Sequence, residues 1–228
     1  MMCERFSLTT DVPELAKQFR IDKVLTFYKP RYNVSPRQTI HAVITNGSER
    51  WLDEFRWGLV PFWGKDAINA DSMMMDEKRA FKRIYVKNRC VIPSDGFYVW
   101  RTGEDGKTRQ PMRIVTTNRR VFGMAGIYEV WASPQNDYEI RTCTVLTTAA
   151  NRVVESMSDR MPVILDEEGI EQWLDPSLTD KNRLRFLLRP APAETMRAYP
   201  VSQRVNSTDH EEPDCVEELD LRLPLLKI

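Results

Sequence analysis

The chain has few histidines and cysteines and none of the runs that cross membranes. Only two histidines, His41 and His210, occur among 228 residues. The four cysteines, Cys3, Cys90, Cys143 and Cys215, stand far apart and form no CxxC pair. With so few ligands and no ligand spacing, neither a zinc site nor any other metal or cofactor is expected. No apolar run approaches the roughly 18 residues of a membrane span. The opening MMCERF has no signal-peptide core, so the expected setting is the cytoplasm, away from any membrane. An excess of charge of one sign is also missing. Lys plus Arg is 33 and Asp plus Glu is 33, so the net charge is zero. That excludes attachment to nucleic acid by bulk positive charge and leaves open a local basic groove. Repeats, low-complexity tracts and Gly/Ser linkers are lacking too, so residues 1–228 read as one domain.

What is present suffices for a core: 42% hydrophobic and 10% aromatic residues exclude wholesale disorder. Runs rich in Val, Ile, Thr and aromatics recur at Ile40–Thr45, Trp51–Trp57, Met112–Thr116, Val121–Trp131 and Ile140–Thr147. Turn signals such as Asn46-Gly47 separate them, as expected of strands. Helices are expected at Val12–Phe19, behind an Asp11/Glu14 capping box, and at Asp76–Lys87, Glu167–Leu174 and Lys181–Leu188. Strands dominate and the helices do not alternate with them, which argues against a parallel βαβ sheet. The expected fold is α+β, a curved, barrel-like sheet with inserted short helices. An acidic tail over about residues 207–228 is expected to pack on the surface. Cys90, Cys143 and Cys215 read as small buried hydrophobes, and His41 and His210 as surface or packing residues. Cys3 differs, because an amine near the chain start can become its neighbour.

Four segments are unusual for an ordinary core. Arg31–Pro36 joins an aromatic, an amide and a proline in what reads as a loop. Trp57–Trp63 sets two tryptophans around a Gly/Pro bend, Pro93–Trp100 is a turn feeding an aromatic strand, and Asp159–Leu165 begins a strand with a charged pair. With Cys3–Phe6, Asn69-Ala70, Arg89–Pro93, Val201–Asn206 and Pro213–Cys215, they resemble the SRAP family of SOS-response-associated, abasic-site-processing proteins over nearly the whole chain.

The resemblance implies a specific chemistry. An N-terminal cysteine condenses through its amine with the aldehyde of an abasic site, and its thiol closes a thiazolidine, giving a protein–DNA crosslink. In the family an Asn, here Asn69, positions the sugar. The other reactive positions are substituted in this chain. The family Arg is Asp71, the following Glu is Met73, the Glu of the Phe-Tyr-Glu-Trp motif is Val99, the His before Asp-Arg-Met-Pro is Ser158, and the Gly after the cysteine is Glu4. Val99 cannot exchange a proton, and Ser158 is no general acid near neutral pH. Met1 and Met2 precede Cys3, and processing before a bulky Met is poor, so the amine of Cys3 is expected to stay blocked. The scaffold motifs are kept while the reactive positions change almost as a set, as in a paralogue relieved of the chemistry or an active protein deliberately altered.

The same resemblance implies a groove for single-stranded DNA with abasic sites, lined by Arg5, Pro36, Trp63, Arg79, Trp100, Thr147 and Arg160, with Cys3 and Asn69 at the reactive centre. Arg pairs with phosphate, Trp stacks on bases, and Asn and Thr hydrogen-bond. The expectation is a monomeric abasic-site-processing protein with its covalent step lost or strongly impaired, associated with the nucleoid when bound to DNA. The alternatives are a non-enzymatic module for single-stranded DNA or junctions and, weakest, a cysteine peptidase, since no His is placed to activate Cys3.

Overall fold

The computed structural model describes residues 4–59, 67–75, 77, 79–132 and 139–220. In chain order the elements are β1 (Phe6–Leu8), α1 (Val12–Phe19), β2 (Lys23–Val24), β3 (Arg31–Val34), β4 (Thr39–Asn46), β5 (Glu49–Trp57), β6 (Asn69–Asp71), α2 (Arg79–Lys87), β7 (Arg89–Ser94), β8 (Gly96–Thr102), β9 (Arg109–Thr116), β10 (Phe122–Ala132), β11 (Glu139–Ala149), β12 (Arg160–Pro162), β13 (Ile164–Leu165), α3 (Glu167–Leu174), α4 (Lys181–Phe186) and β14 (Met196–Pro200). None of the described helices is long and apolar enough to cross a membrane.

The fold is α+β with a closed ring of strands, as the recurrent strand signals and irregular helices imply. Strands β11, β10, β7, β4 and β5 pair in that order. The ring closes where β5 runs parallel to β11, with Arg56 opposite Thr142 and Trp57 opposite Cys143. Closure removes the sheet edges that would otherwise be open to pairing. A second, five-stranded sheet in the order β14-β9-β8-β1-β3 lies beside it. Side-chain alternation sorts the core into layers. On β4, Ile40, Ala42 and Ile44 join one cluster, whereas Val43 joins the other. The first cluster also takes Phe6, Phe97, Val99, Met112 and Ile114 from one face of the second sheet. The other lies under the helices, with Leu15 and Phe19 from α1 and Ile170 and Trp173 from α3.

Local signals explain most element ends. Asp11 accepts from the Glu14 backbone N–H at 3.0 Å, the expected half of a capping box; the Glu14 carboxylate instead faces Arg120 at 3.5 Å. The β4–β5 hairpin pairs Asn46 with Glu49, and Gly47 supplies the positive φ of 63° its tight loop needs. Two helix expectations are corrected. The described helix α2 starts at Arg79, Glu77 lies in a turn, and Asp76, the expected start, lies outside the described residues. Helix α4 stops at Phe186 rather than Leu188, because Leu187 and Leu188 donate to carbonyls only three residues back, a tightening common at helix ends. A third correction concerns Arg31–Pro36, whose first part is strand β3 rather than loop. It pairs with β1 across a register break between Phe6 and Leu8.

The tail folds back over the outer face of the second sheet, where Val201, Val205 and Cys215 pack on Tyr98 and Tyr199. Glu211 pins it, accepting from the backbone N–H groups of Tyr32 and Asn33 and from Arg31. Burial opposes the charged form of Glu211, but the hydrogen bonds from Arg31, Asn33 and Tyr32 outweigh it and hold the carboxyl below its ordinary value. A depressed carboxyl stabilises the fold above its unfolded pKa, and that stability is lost as pH falls through the folded value. Glu211→Gln is therefore expected to cost about 1–2 kcal/mol at pH 7, since hydrogen bonds to a charged group exceed those to an amide. Urea unfolding should show the difference shrinking below about pH 4, the ordinary carboxyl range; a constant difference would assign the effect to shape rather than charge.

Candidate functional site

Strand β11 organises the residues singled out in the sequence. Strand β6 runs parallel to it, placing Asn69 opposite Val145 and Asp71 opposite Thr147. Strand β12 joins antiparallel, placing Arg160 opposite Ala149. Three segments distant in sequence thus meet at Thr147. Arg160 Nη2 donates to Asp71 Oδ1 and to the Thr147 carbonyl, both at 2.6 Å, and lies 3.3 Å from Thr147 Oγ1. Ser158 belongs to the same turn, its hydroxyl donating to the Arg160 carbonyl at 2.8 Å. Just before Asn69, the Ile68 carbonyl accepts from Trp57 Nε1 at 2.8 Å and Thr144 Oγ1 at 3.0 Å. The turn holding Pro36 is tied to the same tryptophan, because Arg37 N donates to the Trp57 carbonyl at 2.7 Å.

Val99 is a core residue. It is 3% exposed and shares the interior cluster with Val154 and Met161, against which Ile68 and Met157 also pack. Ile68 and Met157 are the chain neighbours of Asn69 and Ser158. Met73 is 64% exposed and Met75 is buried, and the Met73 N–H donates to Asp71 Oδ1 at 2.9 Å. The wall after Asp71 is therefore apolar on its open side.

Two expected site residues lie on the opposite face of the second sheet. Tyr98 and Trp100 alternate with Val99 along β8, and Trp100 Nε1 donates to Asn206 Oδ1 at 2.7 Å. Arg5 extends to the same tail, donating to Asn33 Oδ1 at 2.8 Å, the Val205 carbonyl at 2.9 Å and the Asn206 carbonyl at 3.4 Å. Burial lowers the Arg5 pKa, against the opposing effect of the Glu4 and Glu211 carboxylates. The structure thus brings Asn69, Asp71, Thr147, Ser158 and Arg160 together, leaves Val99 in the core, and gathers Arg5 and Trp100 at Asn206. Cys3 and Trp63 lie outside the described residues, as does the side chain of Arg79 at the start of α2. The roles of Asn33 and Asn206 as clamps were missed by sequence reasoning, although both stand inside the motifs it quoted.

A sequence profile of the family described as SOS response associated peptidase (SRAP) matches residues 2–208. The chain belongs to the SRAP family. Among curated SRAP relatives, the abasic site processing protein YoqW of Bacillus subtilis is 42% identical over 224 residues, covering 95% of this chain and 99% of that protein. The abasic site processing protein HMCES of Gallus gallus is 32% identical, covering 86% of this chain and 68% of its own length. A crystal structure of a protein from Bacteroides thetaiotaomicron superposes with a TM-score of 0.84 at 27% identity, covering 95% of this chain and all of that one. Another, from Bordetella bronchiseptica, gives 0.74 at 21% identity and shows the shared fold alone.

Proposed function

We propose that this SRAP protein holds single-stranded DNA carrying abasic sites at the surface formed by β6, β11 and β12, and that its covalent chemistry is lost or strongly impaired. The observation that carries the reading is the pair Asp71–Arg160 at 2.6 Å, seated on Thr147. A guanidinium at the carboxyl end of β6 suits a phosphate, yet here a carboxylate occupies it. The position where the family resemblance implies a proton-transferring Glu is the buried apolar Val99. Asn69 remains to contact the sugar, and Met73 presents an apolar face where a polar wall is implied. The peptidase reading gains nothing from either histidine. His41 packs on Tyr28 with ring centroids 5.0 Å apart, and His210 pairs with Asp214 at 2.6 Å.

The test is intact mass of the protein before and after incubation with abasic single-stranded DNA. Little or no mass gain, together with salt-sensitive non-covalent binding, is the expected result. A stoichiometric crosslink that Cys3→Ala removes would overturn the impaired-site reading.

The ion pair also sets an expectation for affinity. Asp71→Asn should release Arg160 for phosphate, and Asp71→Arg should tighten binding by roughly 1 kcal/mol or more, as a charge-assisted contact replaces a repulsion. The salt dependence should steepen by about 0.7 in logarithmic slope for each further phosphate neutralised on a single strand. Fluorescence anisotropy at several salt concentrations measures both. Unchanged affinity and slope in both variants would remove Asp71 and Arg160 from the DNA surface.

A further inference from the structure

The sequence shows no ligand spacing of a familiar zinc motif, but folding of the tail creates a compact donor set. The side chains of His210, Asp214 and Cys215 place an imidazole nitrogen, a carboxylate oxygen and a thiol sulfur within 4.8 Å of one another. His210 Nε2 and Asp214 Oδ1 are 2.6 Å apart, and Cys215 Sγ lies 3.8 Å from the His210 carbonyl.

The backbone beneath these donors is fixed from outside. Asn33 Nδ2 donates to the His210 carbonyl at 2.8 Å, and the Tyr98 hydroxyl donates to the Cys215 carbonyl at 3.1 Å. The ends of the donor set are thus anchored to β3 and β8 independently of any ion, the pre-organisation a metal site requires. Cys215 is completely buried, while the side chains of His210 and Asp214 keep 21% and 30% of their exposure.

We propose that His210, Asp214 and Cys215 form a binding site for a zinc-class divalent cation, with a solvent molecule as the fourth ligand. Thiolate, imidazole and carboxylate together suit Zn²⁺ and not Mg²⁺ or Ca²⁺, which take all-oxygen shells. Coordination breaks the Cys215 S–H bond, forms a metal–sulfur bond and passes the proton to solvent, while the His210–Asp214 hydrogen bond opens toward the ion. Arg204, 3.8 Å from Asp214 and largely exposed, is free to swing outward as the ion enters.

The site would staple the segment whose Val205 and Asn206 carbonyls hold Arg5. Its predicted readout is therefore binding and thermal stability, independent of any DNA chemistry.

Titration of the full chain with Co²⁺ tests the site. One equivalent should give a near-ultraviolet thiolate-to-cobalt charge-transfer band and intense d–d bands of four-coordination, both displaced by Zn²⁺. Cys215→Ser should abolish the charge-transfer band, Cys3→Ala should leave it intact, and affinity should fall as pH is lowered. His210→Gln, at a partly exposed position, should weaken binding about tenfold or more, as loss of a ligand or its support does. Zn²⁺ should raise the melting temperature of the unmodified protein and not of His210→Gln. Absence of a charge-transfer band, its persistence in Cys215→Ser, or its loss in Cys3→Ala would overturn the proposal. Should Cys215→Ser fail to fold, unchanged affinity in His210→Gln would do the same.

Discussion

Val99→Glu combined with Ser158→His, in protein processed so that Cys3 is its first residue, is expected to turn a trace of crosslink to abasic DNA into a strong covalent band. A positioned general acid or base contributes about 10²–10⁴-fold, and the two substitutions supply one group each. Removing the residues ahead of Cys3 comes first, because no thiazolidine closes without a free amine on the same residue as the thiol. Val99 is 3% exposed among Met161, Val154 and Phe6, so a carboxyl there is desolvated and its pKa raised, which suits proton exchange near neutral pH. The same burial makes the substitution costly, by about 1–3 kcal/mol for overpacking alone. Val99→Gln therefore serves as a control of equal size without the titrating group. Ser158 is likewise buried, and its loss frees the Arg160 carbonyl it bonds. Denaturing electrophoresis with a uracil-containing oligonucleotide pretreated with uracil glycosylase reads the outcome. Equal bands from the Glu and Gln variants would show that position 99 takes no part in proton transfer.

How far this was legible in the sequence differed from element to element. Helices α1 and α3 were readable to the residue, because Asp11 and Asp166 cap them and their apolar spacing is local information. Four of the five ring strands, β4, β5, β10 and β11, were readable as strands, since β-branched and aromatic runs report a half-buried pleat, whereas β7 was not read as one. The ring's closure was not readable, because the parallel pairing of Arg56 with Thr142 joins segments with no shared local signal. Strand β6 was invisible for the same reason: three residues owe their extended form to β11 rather than to their own propensities. The meeting of Asp71, Thr147, Ser158 and Arg160 joins segments that the family resemblance had singled out, because β6 and β12 both pair with β11. That Asp71 would bind Arg160, and that Arg5 and Trp100 would turn to the opposite face at Asn206, needed the register of β8 and β11.

The largest stability effect is expected at Asp95, which no reading of reactive residues singles out. Its carboxylate accepts from Ser7 Oγ and Thr9 Oγ1, both at 2.6 Å, from the Thr9 N–H, and from Arg113 Nη2 at 2.8 Å. Asp95 is 4% exposed and Arg113 8%, and Gly96 leaves the room the guanidinium needs, since a Cβ there would lie 2.5 Å from Arg113 Nε. The cluster ties β1 to β8 and β9, and β1 is the strand that follows Cys3 and Glu4. Removing one partner of a buried pair leaves an uncompensated charge, so Asp95→Ala is expected to cost about 3–5 kcal/mol. Replacing both charges removes that penalty, so Asp95→Ala with Arg113→Met should be more stable than Asp95→Ala alone, although Ser7 and Thr9 still lose their acceptor. Urea denaturation of the unmodified protein, both single variants and the double variant closes the cycle. A double variant no more stable than Asp95→Ala would show that Asp95 acts through Ser7 and Thr9, with Arg113 a bystander. If the buried charge is the cause, the cycle instead yields a coupling between positions 95 and 113, and β1 is held by an ion pair that its own Ser7 joins.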